Sequence, residues 1–304
     1  MTCARPGRWA LLAIAAAWTT LHLSAAQEPG TTWSRGRSVV PVYEGWGTNP
    51  DGSHMMVFGT FNRNWDEAID VPVGQDNHLE PGGPDLGQPT HFLPRRNFFL
   101  FGVRVPKDFG DRDVIWTLTT HGVTERAYGT LRPGYLLNAD VMTATLGAVG
   151  PGVTTAEASR DNRPPSLELD GGGAPRTARV GEPLRFSAQA ADDGLPRAEP
   201  LPAFFGSPFS SALGTLQSAA GLRLTWFVYR GEGAAVRFDP PQFKPYVDLR
   251  GGSPWSPGWA PPPVPEGNRW RIGVTFETPG TYVLRCLAHD GGLGTYQDVT
   301  VTVR

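Results

Sequence analysis

Apolar and polar positions alternate with period two in several short runs, and beyond residue 26 no apolar residues recur at the three-to-four spacing of an amphipathic helix. The clearest run is Tyr282, Leu284, Cys286 and Ala288 alternating with Val283, Arg285, Leu287 and His289, preceded by the turn pair Pro279-Gly280 and ended by Asp290-Gly291-Gly292. Val299, Val301 and Val303 then alternate with threonines, so the two runs predict a hairpin of β-strands. Val39 to Gly47 and His54 to Phe61 flank a Thr48–Ser53 turn and predict a second hairpin. Asn97 to Pro106 reads as a central strand, with Phe98, Leu100 and Gly102 on one face and Phe99, Phe101, Val103 and Val105 on the other. Val114 to Thr120 and Glu125 to Leu131 form a further hairpin around His121-Gly122, and Asp70 to Pro94 reads as a proline- and glycine-dense loop.

In the second half, Asn162-Arg163-Pro164-Pro165 leads to Val180-Gly181-Glu182-Pro183-Leu184, then Asp192-Asp193-Gly194, then the strand Leu224-Thr225-Trp226-Phe227-Val228-Tyr229, and finally Pro279-Gly280-Thr281-Tyr282 and Asp290-Gly291-Gly292. This order resembles the PKD and related immunoglobulin-like bacterial surface domains over residues 162–304. The resemblance implies a β-sandwich that serves as spacer, adhesion unit or accessory module. It departs from a compact PKD domain in two insertions, near 195–221 and 239–270. The expected fold is therefore all-β, with two β-sandwich-like domains: an unnamed one at 38–140, a linker at 141–163, and the PKD/Ig-like one at 164–304. Trp226 and Cys286 are expected in the core of the latter.

The N-terminus changes the picture of where the chain works. Arg5 and Arg8, the apolar stretch Trp9 to Leu23 and the small residues Ser24-Ala25-Ala26 form a signal-peptide pattern over 1–26, with Gln27 to Arg37 as a flexible leader. The chain is expected to be exported, to the periplasm or the extracellular space, with no membrane span after cleavage. Losing Arg5 and Arg8 leaves 25 basic and 29 acidic groups, a net charge of −4. That balance argues against nucleic acid as a partner. Cys3 leaves with the signal, so Cys286 stands alone and reads as a buried small hydrophobe. With 30 prolines and 38 glycines in 304 residues, many short strands and long loops are expected.

Enzyme motifs are missing: no G-x-S-x-G, H-E-x-x-H, C-x-x-C or phosphate-binding glycine loop is present. Three constellations remain. Asp76, His78, Glu80, Asp85 and His91 place two imidazoles and three carboxylates in one loop, which a divalent ion could gather; a solvated, proline-stiffened loop explains them equally. Asp192, Asp193 and Asp290 lie at strand ends that meet at one pole of such a sandwich, where calcium takes oxygen ligands and where plain turns also use aspartate. Phe243, Tyr246, Trp255, Trp259 and Trp270 lie among the prolines of the second insertion, as a binding surface for sugar rings or a partner protein, or as a cap over a sheet edge. The expected function is an exported, non-catalytic binding or cell-envelope structural protein, partnered by a protein or glycan and needing no cofactor unless calcium. The alternative from another class is a metal-dependent hydrolase or lyase centred on the 76–91 loop.

Overall fold

Sixteen strands build the described chain, and the alternation seen in the sequence sets which side of each is buried. In the first half they are β1 (Val39–Thr48), β2 (His54–Asn62), β3 (Ile69–Asp70), β4 (Asn77–Glu80), β5 (His91–Phe92), β6 (Arg95–Val105), β7 (Val114–Thr120) and β8 (Val123–Gly129). A short helix, α1 (Ala139–Leu146), follows. The second half holds β9 (Ser166–Leu169), β10 (Arg176–Ala178), β11 (Leu184–Ala191), β12 (Arg223–Arg230), β13 (Val236–Asp239), β14 (Arg269–Phe276), β15 (Gly280–His289) and β16 (Gly294–Val303). This computed structural model describes residues 33–147, 160–198 and 217–304. The signal pattern at 1–26 and most of the insertion near 195–221 lie outside the described residues.

The first half stacks sheet β1-β2-β6 on sheet β4-β7-β8, with β3-β5 as a small extra ribbon. Trp116 on β7 is fully buried between them, edge-on to Phe101 and Phe58 with ring centroids 5.0 and 6.1 Å away. Its indole N–H donates to Asn77 Oδ1 at 3.0 Å, and Asn77 in turn donates to the carbonyls of Val71 and Pro89. One buried amide thus ties the 70–94 segment to the core. That segment is not the plain loop its composition predicts. Asn77 and Leu79 point inward while β4 pairs with β7, a four-residue strand too short to show through the surrounding glycines and prolines.

The second half is an immunoglobulin-like sandwich of two four-stranded sheets, β10-β16-β15-β12 and β13-β14-β11-β9. The β15–β16 hairpin runs in register from Gly280↔Val303 to His289↔Gly294. Trp226 and Cys286 are opposed across β12 and β15, buried in one core with Phe186, Phe276 and Tyr282. Burial pushes the Cys286 thiol well up, so it is a packing group and not a nucleophile.

Trp33–Arg304 forms one compact unit, because β12 and β15 of the sheet β10-β16-β15-β12 are covered on both faces. Seven consecutive residues of β12, Arg223 to Tyr229, are buried. Leu224, Trp226 and Val228 enter the second-half core; Phe227 and Tyr229, with Val283 and Leu287 of β15, enter the first-half core. Arg285, on the mixed face of β15, is only 3% exposed. Its guanidinium lies between the rings of Tyr229 and Tyr296, 3.6 and 3.7 Å from their centroids. It pairs with Asp298 at 2.7 and 2.8 Å and also donates to the Leu100 carbonyl of the first half. The start of the expected linker, 141–163, lies within α1, capped by Asn138 at its start and by Gly147 in the left-handed region at its end.

Truncating Arg285→Ala removes the donor for a buried carbonyl and one partner of a largely buried ion pair, so a loss of about 2–4 kcal/mol is expected. Urea unfolding measures it. A loss under about 1 kcal/mol would show that this face of β15 is wet and that the halves are only loosely joined.

Candidate functional site

The loop from Asp76 to His91 does not gather its five candidate ligands. On β4, His78 and Glu80 alternate outward from the buried Asn77 and Leu79, and Asp76 is exposed. Asp85 is taken by Arg230 in a two-pronged pair at 2.7 and 2.9 Å, which holds its carboxyl below the usual range. His91 is buried, its Nδ1 2.6 Å from Asp70 Oδ1. Together with Thr90 N–H donating to the Tyr229 carbonyl and Tyr229 O–H donating to Gly87, these contacts lay the loop along the edge of β12. Of the five, Asp85 serves to hold the loop over an edge strand.

At the pole of the second sandwich, Asp193 Oδ1 accepts the Leu195 N–H of its own turn at 2.9 Å, and Oδ2 accepts the Arg163 N–H of the segment before β9 at 3.0 Å. Asp290 is fully buried, and Oδ1 accepts the N–H groups of Gly292 and Leu293, both at 2.6 Å. Burial pushes its carboxyl up to about 7 against these bonds. Among the described residues, no three His, Cys, Asp or Glu side chains are placed to hold a metal ion.

The aromatic insertion packs. Trp255 is buried against Phe98 with centroids 6.1 Å apart, and Phe243 meets Trp259 at 5.4 Å. Gln242 accepts the Trp226 N–H and the Phe243 carbonyl accepts from Thr225, so this segment covers the rest of the β12 edge. Tyr246, Trp259 and Trp270 are half-buried. Asp248 organises the insertion. Burial alone would raise its carboxyl, but hydrogen bonds from Arg250 and Lys244 outweigh it and hold the group at about 2. Arg250 also reaches Asp66 and the Trp65 carbonyl, which anchors the insertion to the first half.

These elements enclose a cavity of about 310 Å³ between the two halves. Its wall is a bulge in β6 that the sequence reading ran through as regular strand. The register jumps from Phe58↔Phe101 to Thr60↔Asn97, so residues 98–100 stand opposite Gly59 alone. Phe99 adopts φ +50, uncommon for a bulky side chain, and leaves the core face that alternation assigned to it. Glu44 supports the bulge from beneath. Buried at 5% side-chain exposure, its two oxygens accept from Arg96 Nη2 at 2.7 and 2.8 Å, and Oε1 accepts the Phe99 N–H at 3.4 Å. Gly59 must be glycine, since a side chain there would collide with Glu44 and the Asn97 carbonyl. Phe98, Phe99, Met55, Met142 of α1, Trp255 and Tyr296 line the cavity, with His289 and Arg285 as its basic groups. His289 is held neutral, well below its usual value, by burial and by Arg223. Its Nδ1 accepts the Gly291 N–H at 2.8 Å, which leaves the proton on Nε2. None of the cavity residues except Trp255 stood out in the sequence; the only signal was a Phe98-Phe99 pair in a strand that needs one aromatic face.

No family model matches the chain, and no curated protein matches it. Solved structures that align with it include tandem Ig repeats of Dlar, at 10% identity and TM-score 0.25 over 88% of this chain and 97% of that one. The I-band fragment I67–I69 of titin aligns at 10% and 0.23 over 88% and 64%. A conjugative transposon lipoprotein from Bacteroides eggerthii aligns at 12% and 0.23 over 45% and 96%. At these scores neither a family nor an activity transfers, and the immunoglobulin-like arrangement rests on the strand order and register above.

Asp248 sets a pH dependence. Its folded carboxyl lies below the ordinary range near 4, so its stabilisation is present above about pH 4 and is lost as pH falls through about 2. Tryptophan fluorescence should report loosening of the insertion in that window. Asp248→Asn should cost about 1–3 kcal/mol at neutral pH and flatten the acid transition; an unchanged transition would remove Asp248 from this role.

Proposed function

We propose that this chain is an exported, non-catalytic binding protein in which the PKD-like sandwich and the first-half sandwich act as one rigid scaffold. The single observation that carries the reading is the cavity between the halves. It is walled by a strained aromatic bulge, an insertion tryptophan and two methionines, and Tyr296 at its mouth is 41% exposed. Rigid aromatic surface beside adaptable thioethers suits an apolar anchor residue of a partner protein, because such anchors contribute most where water is excluded from a preformed pocket. A sugar ring is the less suited guest, since the lining is mostly apolar, its side-chain polar groups are few (His289, the Tyr296 hydroxyl, the Trp255 N–H), and Arg285 is already committed to Asp298 and Leu100. The order of Pro164-Pro165, Asp192-Asp193-Gly194, Trp226 and Pro279-Gly280-Thr281-Tyr282 supports the PKD-like assignment, and the pattern of residues 1–26 supports export. No observation favours the hydrolase or lyase reading, since the 76–91 side chains point to separate partners.

A photo-crosslinking residue at Met142, compared with one at the exposed Val180, tests the proposal in cell-envelope preparations. A discrete protein adduct at 142 alone is expected, and Met142→Trp, which fills the cavity in an otherwise intact protein, should reduce binding of that partner at least tenfold. Equal labelling at both positions, or adducts removed by glycan digestion, would overturn the protein-partner reading.

A further inference from the structure

Buried polar atoms without partners are few in this chain and most of them gather in one place. Of the eight such side-chain atoms among the described residues, five belong to four residues: Thr143 Oγ1, both amide atoms of Asn162, Asp192 Oδ1 and Asp290 Oδ2. The four come from α1, the turn before β9, the end of β11 and the turn after β15. Three of them meet at Gly292. A Cβ built there would stand 2.9 Å from Thr143 Oγ1 and 3.3 Å from Asn162 Nδ2, and its N–H donates to Asp290 Oδ1. Asn162, 8% exposed, lies beside the Asp290 carboxylate, close enough to favour its charged form, yet without hydrogen-bond geometry at either amide atom. The charge on Asp192 is felt at Asp290 as well. Thr143 does not bond back along its helix as Thr145 does to the Val141 carbonyl.

Unpaired polar atoms do not remain buried side by side unless something satisfies them all. Their chemistry defines that something. Each residue can present an oxygen, and none presents sulfur or imidazole. Two of the groups are carboxylates and one oxygen of each is already neutralised only by backbone N–H donors, Gly194 to Asp192 Oδ2 and Gly292 and Leu293 to Asp290 Oδ1. Arg223, the cation that senses the Asp290 charge, spends its donors on the carbonyls of Ala219 and Gly221, on Ser218 and on His289. We propose that Asp192 Oδ1, Asp290 Oδ2, Asn162 Oδ1 and Thr143 Oγ1 bind a calcium ion, which pins helix α1 to the pole of the second sandwich. Hard oxygen donors of mixed charge on separate loops suit calcium, whose shell is large and irregular, with water completing it. Magnesium demands a tighter octahedron than loops from four places supply, and zinc favours nitrogen and sulfur. Asp193 is not a ligand, which separates this site from a simple run of acidic turn residues.

Titration of chelator-stripped protein with calcium chloride, followed by calorimetry and by thermal unfolding, is the experiment. Saturable binding of one ion is expected, with a melting temperature that rises by several degrees at about a hundredfold excess over Kd. Asp192→Asn and Asn162→Ala should each weaken binding at least tenfold, while Asp193→Asn should bind like the parent. If Asp290→Asn fails to fold, the parent protein with and without chelator still decides the matter. No heat and an unchanged melting temperature at about 10 mM calcium would mean that ordered water alone fills the site and would overturn the proposal. Equal affinity for magnesium, or loss of binding in Asp193→Asn but not in Asp192→Asn, would overturn it too.

Discussion

The structure depends on two strands of one sheet, β12 and β15 of β10-β16-β15-β12, being buried on both faces. Most sandwich sheets keep one face wet, and their strands alternate apolar with polar for that reason. Here β12 is buried without interruption, and β15 presents Val283, Arg285 and Leu287 to the first half of the chain. A charge in that layer is admissible only because Arg285 is fully engaged, by Asp298, by the Leu100 carbonyl and by two tyrosine rings. Two sandwiches joined through such a layer move as one body, whereas modules on a linker would be free to reorient.

Burying β12 leaves its edge to be managed. The first-half loop 85–91 occupies one end, through Asp85 to Arg230 and Thr90 to Tyr229, and the insertion occupies the other through Gln242 and Phe243. Both segments looked like candidate chemistry because edge covers must be polar enough to satisfy backbone groups and aromatic enough to exclude water. Their composition is that of a site, and their contacts are those of a seam.

Strain and unsatisfied polarity fall elsewhere. The β6 bulge holds Phe99 at positive φ over a buried Glu44–Arg96 pair, and the orphaned oxygens cluster around Gly292. Neither is needed to close a core. Features that cost stability and are not repaid by packing are where function is sought in a scaffold protein.

The sequence by itself determined strands β12, β15 and β16 of the second sandwich, the β15–β16 turn and the inward face of β15. Tyr282, Leu284, Cys286 and Ala288 could be read off because period-two alternation is local and one core consumes it. It also placed Asp192 and Asp290 at one pole. Only the tertiary structure decided what lies against the other face of β15, since Arg285 looks like a solvent residue until Tyr229, Tyr296 and Leu100 arrive from distant segments. It decided as well that Asn162 and Thr143 lie at the pole beside Asp290. The docking of α1, through Thr143, against Gly292 joins segments more than a hundred residues apart, and no spacing along the chain encodes that. The bulge at Phe98-Phe99 was hidden for the same reason: two extra residues in β6 are visible only against the strand they pair with.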